Sequence, residues 1–190
     1  MTAHPFPDRT AELIHWTSLF LGLPHGGIDA AFPSEKACEA RLYDVRWPEG
    51  AVCPACSQTD VHFLDVRKLF VCRNCKTHFS LTSGTDLHGS HKGLKFNFEV
   101  AADFIQHLQM RRMPSLRQLQ GRHGVAYATA VKLRARLMTN LTKPHGGLLG
   151  HCICVDLPDI PPDVATGSEA HLRHLEAEVQ RRRWRALGIE

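Results

Sequence analysis

The sequence predicts an α+β protein: a small β ribbon closed by four cysteines, joined to a run of helices, with extra helices at the N- and C-terminal ends. Two observations predict it. The pairs Cys53-Pro54-Ala55-Cys56 and Cys72-Arg73-Asn74-Cys75 lie about twenty residues apart, with short apolar stretches between and after them. On either side of that region apolar residues recur at helical spacing.

Taken in order, residues 10–21 read as a short amphipathic helix after a Pro-rich start, ended by Pro24-His25-Gly26-Gly27. A second helix is expected from Ser34, a suitable N-cap, through Cys38, Leu42 and Val45 to Trp47, where Pro48-Glu49-Gly50 stops it. Cys38 shares the apolar side with Leu42 and Val45, so it reads as a small core residue rather than a fifth ligand. Val61–Leu64 and Leu69–Val71 read as strands joined by the polar turn 65–68, and Thr77–Leu81 as a third. After a Gly-rich connection, Phe98, Ala101, Ala102, Ile105 and Leu108 mark a helix over 96–110. Arg111-Arg112-Met113-Pro114 breaks it. Ser115 caps the next helix, with Leu116 and Leu119 inward, and Gly124 makes the turn into a third over about 126–140. Helix, short Gly turn, helix is the helix-turn-helix plan, although any three-helix bundle shows the same apolar spacing. Beyond it, Cys152–Leu157 reads as a strand, Pro158–Pro162 as a stiff linker, and residues 169–187 as a helix capped by Ser168. Leu172, Leu175 and Val179 form a narrow stripe on it, suited to docking on the protein's own core, to pairing with a second copy, or to sitting beside phosphate contacts. The expected divisions are 1–33, 34–90, 91–145, 146–167 and 168–190.

The four cysteines carry the strongest chemical signal. Two tight turns each presenting two thiolates close a tetrahedral zinc site with no open position, so one structural zinc ion is expected, held by Cys53, Cys56, Cys72 and Cys75. Catalytic zinc would need a free position, and a redox CxxC would sit once beside a βαβ pattern. Cys152 and Cys154 lack further ligands at metal spacing. Seven cysteines, an odd number, fit a reducing cytoplasm better than a disulfide framework. No basic N-terminal region followed by an apolar stretch marks a secretory route, and no apolar run reaches the length of about 20 residues that spans a bilayer.

Charge is uneven. The net charge is +4, yet residues 91–145 hold ten Lys and Arg against two acids. A basic segment beside a metal-stapled ribbon points to a polyanion, in a cell most often nucleic acid, against the plainer reading of a solvated cationic surface. If Tyr127, Ala130, Val131 and Leu137 face the core, then Thr129, Lys132 and Arg136 share the opposite stripe and can meet base edges in a major groove. Arg134, Arg117 and Arg122 are phosphate candidates, with Arg111, Arg112, Lys92 and Lys95 at the flanks.

Several separate motifs then converge on one family. Glu35-Lys36-Ala37-Cys38, Arg46–Gly50, Cys53–Cys56, Phe70–Cys75 and Phe79–Thr85 resemble the N-terminal module of IS1595-type insertion-sequence transposases. Gln118-Leu119, Val125-Ala126-Tyr127 and Thr129-Ala130 extend the resemblance over residues 34–140. It implies a zinc ribbon and a helix-turn-helix ahead of an RNase H-like domain whose acidic residues hold divalent metal. Asp156 is the nearest counterpart of the first acid, but Leu157 and Pro158 follow it, and the 34 residues after Asp156 are too few for the rest of that fold. No catalytic residues and no enzyme activity are therefore expected. The expectation is a zinc-dependent, transposase-derived DNA-binding protein, a regulator of transcription or of the chromosome, in a bacterial cytoplasm on nucleoid DNA. Its alternatives are a truncated transposase that binds element ends and a ribbon adaptor that contacts the transcription machinery. The corresponding partners are double-stranded DNA, a second copy of the chain as a homodimer, or RNA polymerase, with no membrane and no small-molecule substrate.

Overall fold

In the computed structural model the described residues are 5–189. The chain divides into two compact units: Phe32–Phe98, and a second that joins the chain before it, through Ala31, to the chain from Glu99 onward.

The first unit is built on helix α3 (Glu35–Arg46) and an antiparallel sheet ordered β1 (Val61–Leu64), β2 (Leu69–Cys72), β3 (His78–Phe79). Helices α1 (Arg9–Gly22) and α2 (Gly27–Ala31), which belong to the other unit, precede it in the chain. Ser34 caps α3, its hydroxyl accepting the Ala37 N–H at 3.2 Å, as its place before the helix predicts. The register sets Val61 opposite Cys72 and Phe70 opposite both Phe63 and Phe79. Asp65–Arg67 forms a 3-10 turn that closes with Lys68 left-handed. The third strand is shorter than expected, because residues 80–83 leave the sheet for a turn in which the Ser83 hydroxyl accepts the Ser80 N–H at 2.8 Å. Trp47, Phe70 and Phe79 pack with Cys53 and Cys72 into one small core, Trp47 edge-on to Phe70 at 5.2 Å. The Arg46 guanidinium covers the Trp47 ring at 4.4 Å and donates to the Leu81 and Ser83 carbonyls.

Helix α4 (Leu94–Gln109) begins in the first unit and continues into the second. Glu35, 60 residues before Lys95, caps its start, accepting the Lys95 N–H at 3.0 Å and that of Leu94.

The second unit contains α1, α2, the rest of α4, α5 (Leu116–His123), α6 (Tyr127–Leu141), α7 (Gly147–Ile153) and α8 (Glu169–Ala186). Ser115 and Gln118 form a reciprocal capping box at α5, and Gly124 ends that helix in the left-handed region at φ 59°. The C-terminal helix docks on its own chain: Leu175 and Val179 are buried with Leu21 of α1. The strand expected over 152–157 does not form: residues 154–157 are neither strand nor helix, and Cys152 and Ile153 end the helix 147–153, which satisfies its backbone groups internally. Gly150 permits it, since a Cβ there would stand 2.2 Å from the His145 carbonyl oxygen.

Candidate metal centre and basic surface

Each cysteine pair sits on the same backbone device. The Ser57 N–H donates to the Cys53 carbonyl at 2.9 Å and the Cys53 N–H to Gln58; the Lys76 N–H donates to the Cys72 carbonyl at 3.0 Å and the Cys72 N–H to Thr77. Ser57 and Lys76 take the matching left-handed conformation, φ 57° and 61°. These two turns bring all four sulfurs within 4.8 Å of one another, with Cys53 to Cys75 at 3.6 Å and Cys56 to Cys72 at 3.5 Å. Metal–sulfur bonds of about 2.3 Å in a tetrahedron require sulfur separations of about 3.8 Å, so the four thiols fit one zinc ion. Neighbours prepare them as ligands. Thr77, whose hydroxyl lies 3.2 Å from the Cys75 sulfur, lowers that thiol to about 6 through its side chain and backbone N–H. At Cys72 the Cys75 backbone N–H pulls the thiol down, but burial and the adjoining thiols outweigh it and push it up to about 11. All seven cysteines are free of disulfides. Cys38 and Cys152 are buried, and neither joins a cluster of three or more metal-ligating side chains among the described residues.

The basic residues singled out in the sequence fall in both units. Lys92 and Lys95 are in the first. The Lys92 ammonium sits 5.3 Å from the Phe96 ring centre, and that of Lys95 donates to the Pro33 carbonyl at 3.4 Å. In the second unit Thr129 and Lys132 are exposed on α6, while Arg134 and Arg136 are partly covered. The expected inward face of α6 needs correction. Ala130 and Leu137 are buried, but Tyr127 is 57% and Val131 41% exposed, and Leu133 and Leu141 complete the core stripe. Spacings of three and four from Ala130 pass through Leu133, Leu137 and Leu141; Val131 lies off that stripe, and Tyr127, three residues before Ala130, is exposed at the first position of the helix.

Two of the expected phosphate contacts already have acidic neighbours. Arg122 pairs with Asp103, a largely buried carboxylate on α4 that also takes His123 Nε2 at 3.1 Å and lies 3.4 Å from His107 Nδ1. Arg111, left-handed at φ 59°, lies 3.7 Å from Glu176 of α8, and both are half exposed. Arg112 and Arg117 are exposed. Sequence reasoning missed the Asp103 cluster because Arg122 and His123 lie about twenty residues from Asp103, with no motif joining them.

Asp156 is also engaged within the second unit. Its carboxylate accepts from His25 Nδ1 at 2.8 Å and from the His25 N–H at 3.1 Å, and its own N–H donates to the Gly22 carbonyl at 3.0 Å. The hydrogen bond from His25 holds this carboxyl below the usual carboxylate range.

Residues 33–78 match the family model of the transposase zinc-ribbon domain of IS1595 type, a segment that holds all four clustered cysteines. A curated relative, described as an uncharacterized protein in transposable element ISH50 of Halobacterium salinarum (strain ATCC 700922 / JCM 11081 / NRC-1), is 28% identical over 122 residues. The match covers 63% of this chain and 40% of that protein, so the chain spans about two fifths of the relative's length. No solved structure matches. Among the described residues no helix is long and apolar enough to cross a membrane.

Proposed function

From a transposase-type zinc ribbon as the premise, we propose that the chain is a zinc-dependent, non-catalytic DNA-binding protein that regulates transcription or chromosome function from the bacterial cytoplasm. The observation that carries this reading is the α5–α6 pair, two helices joined by a three-residue turn with Gly124 left-handed, in the most basic stretch of the sequence. In a helix-turn-helix the second helix enters the major groove with its N-terminal residues against base edges. Exposed Thr129 and Lys132 suit that position, and so do exposed Tyr127 and Val131, whose apolar atoms can meet thymine methyl groups. Arg112 and Arg117 suit phosphate oxygens. The engagement of Asp156 by His25, and the irregular backbone of residues 154–157 where the first catalytic strand is expected, support function by occupancy rather than turnover.

The test is binding of the full chain to a selected DNA site and to unrelated DNA across a salt series. Lys132→Ala with Arg136→Ala is expected to lower specific affinity selectively. Arg112→Ala with Arg117→Ala is expected to lower both and to reduce the salt slope by about two. Equal losses on both DNAs from both pairs would overturn the assignment of roles. A second reading, a protein that binds transposable-element ends, is favoured by the match to a protein of ISH50. Preference for terminal repeats over promoter DNA would select it.

A further inference from the structure

The second unit contains a cavity of about 660 Å³, walled by α1, the 3-10 turn Pro144–Gly146, α7, the segment that follows it and the start of α8. That volume is within the range of sites that enclose small organic molecules, about 300–1,000 Å³. Among the described residues its lining includes Ile14, Leu19 and Ile160 and four imidazoles, and no Asp, Glu, Lys or Arg. Two of the imidazoles, His145 and His151, are exposed, with ring centres 5.4 Å apart and planes tilted by 39°. His145 is held there at a left-handed φ of 55°, and the Gly150 position leaves room for its carbonyl.

The other two imidazoles are covered. His15 Nε2 bonds the Leu141 carbonyl at 2.6 Å. His171 is 3% exposed and its Nδ1 accepts the Gly167 N–H at 3.1 Å, so its proton is on Nε2. That Nε2–H is buried with no hydrogen-bond partner among the described residues. An apolar wall edged by the two exposed imidazoles, with no carboxylate among the described residues of its lining, complements an anion on an apolar body.

We propose that this cavity binds a small apolar carboxylate, its acid group between His145 and His151 and its hydrocarbon body against Ile14, Leu19 and Ile160. None of its walls comes from α5 or α6, so the site stands or falls independently of DNA binding.

The test titrates the zinc-loaded full chain with 2-naphthoate and with its neutral twin 2-naphthamide, followed by calorimetry and by amide chemical shifts. Naphthoate is expected to bind with shifts at Leu19, Gly150 and Gly167, and naphthamide about tenfold more weakly, the worth of one charge-assisted hydrogen bond. His145→Asn with His151→Gln removes both protonatable rings while Asn tolerates the left-handed position, and is expected to erase the difference between the probes. Ser18→Trp fills the cavity and is expected to abolish binding of both; Thr166→Trp, on a loop of the same lining, serves if the first variant does not fold. Equal binding of acid and amide by the unaltered protein, binding untouched by the filling variant, or no binding of either probe would each overturn the proposal.

Discussion

Thr77 and Asp103 show how single side chains prepare this protein for its task. The Thr77 hydroxyl beside Cys75 stabilises the thiolate that a metal needs, and a neighbour of that kind is typically worth about tenfold in metal affinity. Thr77→Val is therefore expected to weaken zinc binding by about that factor, measured by competition with a chromophoric chelator; an unchanged affinity would remove Thr77 from the site. Asp103 is a largely buried carboxylate with Arg122 and His123 as partners. Because Arg122 is more than half exposed, only part of a buried pair's strength applies, and Asp103→Ala is expected to cost roughly 2 kcal/mol in urea unfolding. Burial holds the imidazoles of His15 and His171 below the ordinary histidine range. A depressed histidine favours the neutral folded form, so this stability is complete above about pH 6.5 and is lost as pH falls toward the folded values. The urea midpoint should therefore fall between pH 7.5 and 5.5, and the fall should be smaller in His15→Gln/His171→Gln, which separates it from acid loss of zinc.

Among the elements, α1 and α8 depend on one arginine. The last turn of α1 carries no basic residue, and its carbonyl ends would otherwise lack a positive partner. Arg182 of α8 supplies one, donating to the carbonyls of Phe20, Leu21, Leu23 and Pro24 at 2.9 to 3.2 Å, with its guanidinium 5.1 Å from the Phe20 ring centre. A guanidinium forks to several acceptors where an ammonium cannot. Arg182→Ala is expected to destabilise the helix pair by roughly 2 kcal/mol, and Arg182→Lys to recover less than half of that, read from denaturant midpoints. The termini of these helices were legible in the sequence wherever the signal was local: Ser34, Ser115 and Ser168 each cap the helix they precede. The partner of each exposed helix end was not. Glu35 at the start of α4 and Arg182 at the end of α1 act across about 60 and 160 residues, and no local pattern records such a distance.

For the whole molecule, the division into two units carries its own expectation. The ribbon core is a few aromatic rings and two of the metal-ligating cysteines, too little apolar material to hold without zinc, whereas the Leu21, Leu175 and Val179 cluster contains no ligand. Chelation should collapse the amide signals of residues 51–79 and leave those of α1 and α8 dispersed; simultaneous loss of both sets would show that the units fold as one. The identity of the metal site was readable because its ligands come as two adjacent pairs whose spacing alone builds the turns. The short strands were readable from alternation, and most helices from their period and caps. The outward face of α6 was not, because helical spacing permits more than one stripe and the packing of the unit selects Leu133 and Leu141 over Tyr127 and Val131. The same holds for residues 152–157, whose alternation suits a strand although Cys152 and Ile153 end a helix and the residues after them are irregular. By itself, then, the sequence determined the ribbon, its four ligands and the longer helices, all of which follow from short-range geometry. Only the tertiary structure decided which faces are buried, where Asp156 and Arg182 find their partners, and that a cavity ringed by histidines exists at all. Those features depend on residues brought together from opposite ends of the chain, and their free energy appears only once the chain has closed on itself.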